Sequence, residues 1–429
     1  MKILIVSNSP WRDDNSFGNS FSNIFDGLHE EIEIANIYLK YGTPNCTIVK
    51  KFFQITEGSL LRNLLYPKLP TGKQIFRSEI YDSDLKEKKT FDKARKFKGT
   101  LLVWVRTFIW KIGRWKSSEL EKFVEDFAPD MLFIPIYYSH YIHDVNFWIK
   151  NKCNIPAVGY ISDDNYSLRR ISCNLFFWLD RILMRKRLRK VFNACDIVYT
   201  ISEVQKEYLS CRFGDKFKIL TKYANFDEES KPSYQDAQTP IRMLYTGNLG
   251  NGRYDSLRLL AKALSQLNGN IPRIILDIYT STILTKRQRT DLGIGYTTLH
   301  DAVGFDKVLI LQEQADILVH VEGLKLKDRL DVAQSFSTKI VDYLQRRKPI
   351  FVVGKSDCAS VKYFLDNESG IVAQNSYEIM QKLIMIVNSP KILFEYADKA
   401  WQCGVVNHQK QIHQNKLKKD LLAVGLKRN

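Results

Sequence analysis

The sequence predicts an α/β protein made of two Rossmann-like, doubly wound domains facing a central cleft. Three observations carry this expectation. The chain has 429 residues, beyond the size at which one hydrophobic core usually keeps growing, so two domains are expected. Short continuous apolar runs alternate with helix-compatible segments, as parallel strands covered on both faces do. The alternation is broken once, around 224–240, where NFDEESKPSYQDAQTP is polar and aperiodic and carries two prolines, as an exposed linker does.

Taken in order, the first domain (1–223) has strands at KILIV (2–6), IEIANIYL (32–39), MLFIPIYY (131–138), PAVGYI (156–161) and IVYTI (197–201). The second (241–404) has strands at IRMLYT (241–246), RIILDIYT (273–280), DILVHV (316–321) and PIFVV (349–353). The tail, 405–429, reads as a polar helix with a sparse apolar stripe that packs back toward the first domain. Open α/β sheets bind ligands at the carboxyl ends of their strands, so two such sheets in tandem predict a ligand cleft.

Composition narrows the class. With 45% hydrophobic residues the chain is globular, not disordered. MKILIVSNSP is too short an apolar run for a signal-peptide core, and no stretch reaches the roughly 18 uncharged apolar residues of a spanning helix. The seven cysteines lack the close spacings of zinc or redox motifs and fit reduced thiols in a cytoplasm. A net charge of +17 predicts attraction to polyanions without choosing among nucleic acid, anionic lipid and phosphorylated substrate.

Two segments of the second domain are candidate phosphate sites. The strand IRMLYT is followed by Gly247-Asn248-Leu249-Gly250-Asn251-Gly252-Arg253 and then a helical stretch. Glycines admit a phosphate to the backbone, while the helix start and Arg253 supply positive potential. The spacing is neither a Walker loop nor the dinucleotide fingerprint, and a plain tight turn is an equal reading. The second segment, Ser337-Thr338-Lys339, opens a helix that Ser337 or Thr338 would cap. Lys339 in a first turn opposes the helix dipole, a penalty that a bound anion would reverse; otherwise it is an ordinary solvated lysine. Asp342, nearly one turn on, is either a ribose acceptor or a surface carboxylate.

Together these segments resemble the bacterial family 4 glycosyltransferases of the GT-B fold, of the kind found in capsule, exopolysaccharide and O-antigen biosynthesis. YTGNLGNGRYDSL is similar to that family's first donor loop, with Arg253 in place of the usual lysine on the donor diphosphate and Asn248 where many members have arginine. SFSTKIVDYLQRRKPIFVVG is similar to its second donor segment. Ser337 replaces a proline, Asp342 the glutamate on the ribose, and Gln334 a glutamate on the sugar, with Lys339 expected to make up for the cation absent at Asn248. The resemblance implies a donor site of Gly247, Asn248, Gly250, Gly252, Arg253, Gln334, Ser337, Thr338, Lys339 and Asp342. It also implies a retaining reaction that needs no metal and no cofactor beyond the nucleotide-sugar substrate.

In the first domain, PAVGYISDDNY ends a strand on Ser162-Asp163-Asp164-Asn165-Tyr166, where related enzymes keep a strand-end group near the reacting sugar. Asp163 and Asp164 are candidates to orient the acceptor hydroxyl or take its proton; the alternative is an aspartate pair shaping a turn. Gly18 and Asn19, read as preceding a helix, and Tyr166 are candidate acceptor or cleft-loop residues. With Arg253 and Lys339 meeting the charge that develops on the leaving diphosphate, these aspartates complete the expected catalytic set. His140 and His143 after MLFIPIYY are either cleft residues or ordinary loop histidines. Asp82-Ser83-Asp84 has metal-site spacing but no preceding strand, so no metal is expected there.

From Lys86 to Lys116 there are eleven lysines or arginines against two acids. Within that span Leu101, Trp104, Val105, Phe108, Ile112 and Trp115 fall on one side of a helix. A second basic patch lies at 181–190. Such segments suit an anionic membrane surface and predict peripheral attachment at the inner face of the plasma membrane, within reach of a glycan or polyprenyl-diphosphate-linked acceptor. The alternative is a stripe packed on the sheet beneath solvated lysines. Two other functions compete: a nucleotide-sugar epimerase of the same fold, and a basic nucleic-acid-binding protein, although no nucleic-acid module is recognisable.

Overall fold

A computed structural model describes residues 1–13, 16–28, 30–76, 100–234 and 237–426. Asp82-Ser83-Asp84, the basic tract from Lys86 to residue 99 and the Leu101 side chain lie outside the described residues. The chain divides into two compact units, Met1–Leu168 with Ser172–Leu220 and Gln414–Asn429, and Thr221–His413 with Arg169–Ile171.

The first unit runs β1 (Lys2–Ser7), α1 (Ser16–Phe25), β2 (Glu33–Tyr38), β3 (Val49–Ile55), α2 (Glu57–Leu65), β4 (Gly72–Ile75), α3 (Thr100–Ile112), α4 (Ser118–Phe127), β5 (Met131–Pro135), α5 (His140–Cys153), β6 (Ala157–Ile161), α6 (Leu175–Ala194), β7 (Ile197–Thr200), α7 (Glu203–Phe213) and β8 (Phe217–Ile219). Its eight strands form one sheet in the order β4-β3-β2-β1-β5-β6-β7-β8. All pairs are parallel except β3 with β4. Ile3 registers with both Ile34 and Met131, and β5 and β6 are buried along their whole length, which is why their sequences are continuously apolar. Helix starts follow local chemistry: Thr56 and Ser59 form a reciprocal capping box on α2, and Ser117, Asn174 and Ser202 cap α4, α6 and α7.

The second unit runs β9 (Ile241–Thr246), α8 (Arg253–Asn268), β10 (Ile274–Thr280), α9 (Lys286–Leu292), β11 (Thr297–Asp301), α10 (Phe305–Gln314), β12 (Ile317–Val321), α11 (Leu326–Val332), α12 (Lys339–Gln345), β13 (Ile350–Val353), α13 (Ala359–Asp366), β14 (Ile371–Ala373), α14 (Ser376–Asn388) and α15 (Ile392–His408). Its parallel sheet has the order β11-β10-β9-β12-β13-β14. The last helix, α16 (Lys410–Gly425), belongs to the first unit from Gln414 onward. There Lys418 pairs with Glu31, and Asp420 accepts from Tyr199 Oη and Lys218 Nζ.

No helix among the described residues is long and apolar enough to cross a membrane. The seven cysteines are free thiols. The predicted amphipathic helix is α3, but its faces divide differently from the expectation. Trp104, Val105, Phe108 and Ile112 are exposed, whereas Trp115 lies beyond the helix end and is buried. The patch at 181–190 is likewise mixed, since Arg181, Met184 and Leu188 are buried.

Candidate functional site

The sheet of the second unit reverses its direction of growth between β9 and β12, the position where open α/β sheets bind ligands at their carboxyl ends. Both strands deliver polar chemistry there. After β9, the Gly247–Gly252 loop is tied down by short bonds: Gly247 N donates to Tyr279 O (2.9 Å), Tyr245 Oη to Asn248 O (2.6 Å) and Leu249 N to Thr282 Oγ1 (2.9 Å). Asn251 and Gly252 adopt φ of 53° and 76°, in the left-handed region that glycine tolerates best. A Cβ on Gly252 would stand 2.5 Å from Asp328 Oδ2 and 2.9 Å from Gly323 Cα. A Cβ on Gly247 would stand 2.8 Å from Lys339 Nζ.

Arg253 opens α8 and folds back over this loop. Its Nη1 donates to Asn248 Oδ1 (3.1 Å), its Nε to Val321 O (3.2 Å), and its Nη2 to Glu322 Oε2 (3.0 Å). Glu322, the residue after β12, is buried, and His320 Nε2 lies 3.4 Å from its other oxygen. Burial pushes the Glu322 carboxyl up, but His320 and Arg253 outweigh it and hold the group below the ordinary carboxylate range. Lys339 reaches the same loop from α12, its Nζ donating to Thr246 O (2.8 Å). Desolvation, followed by repulsion from Arg253, lowers the Lys339 pKa, with Asp342 acting in the opposite direction. Two cations held over one glycine turn repel each other, and an anion shared between them would relieve that repulsion.

Several expected details change. Thr338 occupies the N-cap of α12 in helical conformation and makes no side-chain cap, so the predicted capping is absent. Ser337 O instead accepts from Ile340 N (3.0 Å), and Ser337 N donates to Ser360 Oγ (3.3 Å). The reason is geometric: a capping side chain needs extended backbone, and this chain enters α12 already helical. Asp342 is no free surface carboxylate, because Lys222 Nζ donates to it at 2.6 Å. Gln334 is buried between α11 and α12. Asn248, read as the site of a missing cation, organises the loop by accepting from Arg253 and from Gly250 N. Glu322 and Lys222 were not foreseen. Glu322 had a signal, an acid directly after the strand DILVHV, whereas Lys222 had none.

The candidates of the first unit separate. Asp163 is exposed in the turn after β6, and its carbonyl accepts from Asn165 N (2.8 Å) and Gln205 Nε2 (3.1 Å). Asp164 is buried; it accepts from Ser167 N (2.8 Å) and the Ser167 hydroxyl and lies 3.3 Å from Arg181 Nη2. That is the turn-forming alternative, and the expectation of an acid or base at Asp164 is corrected. Tyr166 is also corrected: it is core, packed edge-on against Phe192 and Phe213 with Arg185 over its ring. Gly18 and Asn19 lie inside α1, not before it. A Cβ on Gly18 would stand 1.9 Å from Arg12 O, so glycine is needed for backbone packing there.

Neither His140 nor His143 is a free cleft histidine. His140 Nε2 lies 3.3 Å from Asp180, and His143 is fully buried with Nε2 3.0 Å from Tyr137 O, burial lowering its pKa to about 4. Sequence reasoning missed Tyr137 and Tyr160, at the carboxyl ends of β5 and β6. Burial raises the pKa of both phenols, and the charge of Asp163 adds to the effect on each.

No family model and no curated protein matches the chain. Solved structures do. Sucrose-phosphate synthase from Thermosynechococcus elongatus superposes with a TM-score of 0.61 at 11% identity, over 98% of this chain and 99% of that one. Anabaena HepE, in complex with UDP and glucose, gives 0.61 at 11% identity over 99% of this chain and 100% of that one. UDP-GlcNAc 2-epimerase from Neisseria meningitidis, bound to UDP-GlcNAc, gives 0.51 at 11% identity over 99% and 100%. These likenesses extend over whole chains and establish the fold: two Rossmann-like units of the GT-B class, as the donor-loop resemblance implied.

Proposed function

We propose that the protein is a glycosyltransferase that takes a sugar from a nucleotide-sugar donor and passes it to a glycan or lipid-linked acceptor. The observation that carries this reading is the convergence of Arg253 and Lys339 on the Gly247–Asn248 turn at the growth reversal of the second sheet. As the sugar–phosphate bond breaks, negative charge grows on the departing nucleoside diphosphate, and cations already fixed in place lower that barrier. In this reading Arg253, Lys339 and the backbone N–H groups of the loop meet that charge without a metal. Transfer retains the anomeric configuration, Gln334 contacts the sugar, and Asp342 with Ser337 and Thr338 lines the ribose side. Asp163 is the acceptor-orienting carboxylate, and Asp164 acts through it by fixing the turn.

HepE was solved with UDP and with UDP-glucose, which makes uridine nucleotides the first donors to test. The acceptor is proposed to reside on an anionic membrane, approached through residues 86–116 and 181–190, at the cytoplasmic face. The test is thermal-shift screening against nucleoside diphosphates and nucleotide sugars, followed by product analysis with and without EDTA. A selective Tm rise with one nucleotide sugar, and EDTA-resistant transfer to a glycan acceptor, are expected. Interconversion of a UDP-sugar with no acceptor present would make the protein an epimerase. No response to any nucleotide, with steeply salt-dependent binding to arbitrary DNA, would overturn the enzyme reading.

A further inference from the structure

The first unit presents apolar side chains that its own fold leaves wet. α3 is apolar on both faces: Trp110 is buried in the core with Ile109 packed beside it, yet the opposite side is apolar as well. Trp104, Val105, Phe108 and Ile112 face solvent, Phe108 at 60% exposure, while the charged Arg106 turns toward the protein. Its Nε donates to Glu57 Oε1 (2.9 Å) and its Nη2 to Tyr141 Oη (2.7 Å). Removing side chains of this size from water is favourable, so an outward apolar face signals a covering phase.

Two of the helices that adjoin α3 also leave apolar side chains exposed. α2 and α6 both adjoin α3. α2 and the turn after it expose Leu61, Leu64, Leu65 and Tyr66, with Leu65 at 76%. The first half of α6 exposes Leu175 at 80% and Phe176 at 69%, followed by Leu179 and Ile182.

The charges around this face select its partner. Arg62, Lys68, Lys111, Arg114 and Lys116 are exposed, as are Lys186, Arg189 and Lys190 farther along α6. No aspartate or glutamate occurs between residues 100 and 116. Within α2 and α6 the acids are Glu57, spent on Arg106, and Asp180, buried beside His140. In the sequence alone, residues 86 to 99 carry seven cations against two acids. On the adjoining α5 the exposed Asp144 is paired with Arg187 of α6, so the apolar field is edged mainly by cations and complements a surface that is anionic above and hydrocarbon below.

We propose that α2, α3 and the first half of α6 form one docking surface whose apolar side chains insert into an anionic lipid bilayer. This deepens the membrane part of the reading above and rests on it, but not on the transfer chemistry. It assigns α2 and Leu175–Leu179, which the basic segments alone did not indicate. It also makes attachment depend on insertion as well as on charge attraction.

The test uses the full chain in flotation with phosphatidylcholine vesicles, alone or mixed with phosphatidylglycerol. Brominated lipid serves as a quencher of tryptophan fluorescence. Wild type is expected to float only with the anionic vesicles and to be quenched, with the quenching reduced by Trp104→Phe. The triple variant Leu65→Ser, Phe108→Ser, Leu175→Ser is expected to lose about tenfold or more in partitioning, with an unchanged lipid-free Tm. A core role for these residues would lower that Tm instead and would overturn the proposal. Anionic-vesicle binding without quenching, and unaffected by the triple variant, would overturn insertion while leaving electrostatic membrane attachment intact. No binding to any vesicle would overturn both. Concentration-dependent self-association abolished by the triple variant, without vesicle binding, would show that a second copy covers this face.

Discussion

At the scale of single residues, two cations share one glycine turn. The would-be Cβ of Gly247 lies 2.8 Å from the Lys339 ammonium, at the far end of a flexible side chain. Gly247→Ala is therefore expected to fold normally yet push the ammonium aside, weakening nucleoside-diphosphate binding about tenfold while Tm stays within a degree or two. Titration calorimetry and a melting curve check both halves. The lowered pKa of Lys339, caused first by desolvation and then by Arg253, fixes the sign of a pH effect. A bound diphosphate favours the charged ammonium, so affinity falls as pH rises through the free-protein pKa, at lower pH than for an ordinary lysine. Lys339→Ala is expected to flatten that alkaline fall. Arg253 and Lys339 were legible in the sequence because glycine spacing and a cation in a first turn are local signals. Lys222 and Asp342 become partners only through the tertiary fold, so neither one's neighbourhood in the chain reveals the pair.

At the scale of elements, the first unit stands on buried polar devices rather than on strand pattern alone. Arg181 of α6 donates to Ser167 O, Asp164 O and Asp164 Oδ1 at 2.8, 2.7 and 3.3 Å. Arg181→Leu leaves Asp164 buried without its cation and is expected to cost about 3–5 kcal/mol, measured by urea unfolding. His143 in α5 is neutral when folded, its pKa lowered to about 4 by burial. The unfolded chain binds its proton nearer pH 6.5, so stability contributed by neutral His143 is lost as pH falls from about 6.5 toward 4, by roughly 3 kcal/mol. His143→Gln is expected to remove that part of the acid limb. The central strands were read correctly because they are apolar on both faces. Five strands went unread for physical reasons: β3 carries Lys50 and Lys51, β4, β8 and β14 have only three or four residues, and the edge strand β11 is the polar TTLHD. Expected strand ends overshot where residues such as Tyr137 and Tyr138 leave the ladder to form the polar carboxyl-end loops.

At the scale of the whole molecule, two sheets of the same winding, each with its own core, account for a chain too long for one. The break read at 224–240 is polar because it carries neither sheet, yet the second unit begins earlier, at Thr221. There Thr221 and Lys222 engage His408 and Asp342, contacts invisible to composition. α16 joins the first unit through ion pairs and Leu417, Leu421 and Val424, a sparse stripe that still buries fully. The net charge of +17 predicts anionic partners in general, while the paired cations over the second sheet's glycine turn predict a diphosphate in particular. Titration calorimetry of UDP and GDP against wild type, Arg253→Ala, Lys339→Ala and the double variant tests this most directly. Saturable binding of at least one of them by wild type is expected. Each single variant is expected to lose about 10- to 100-fold, and the double variant to depart from the sum because both cations hold one anion. Wild-type affinity retained by the double variant, or the absence of any nucleotide binding by wild type, would contradict a diphosphate site at Arg253 and Lys339.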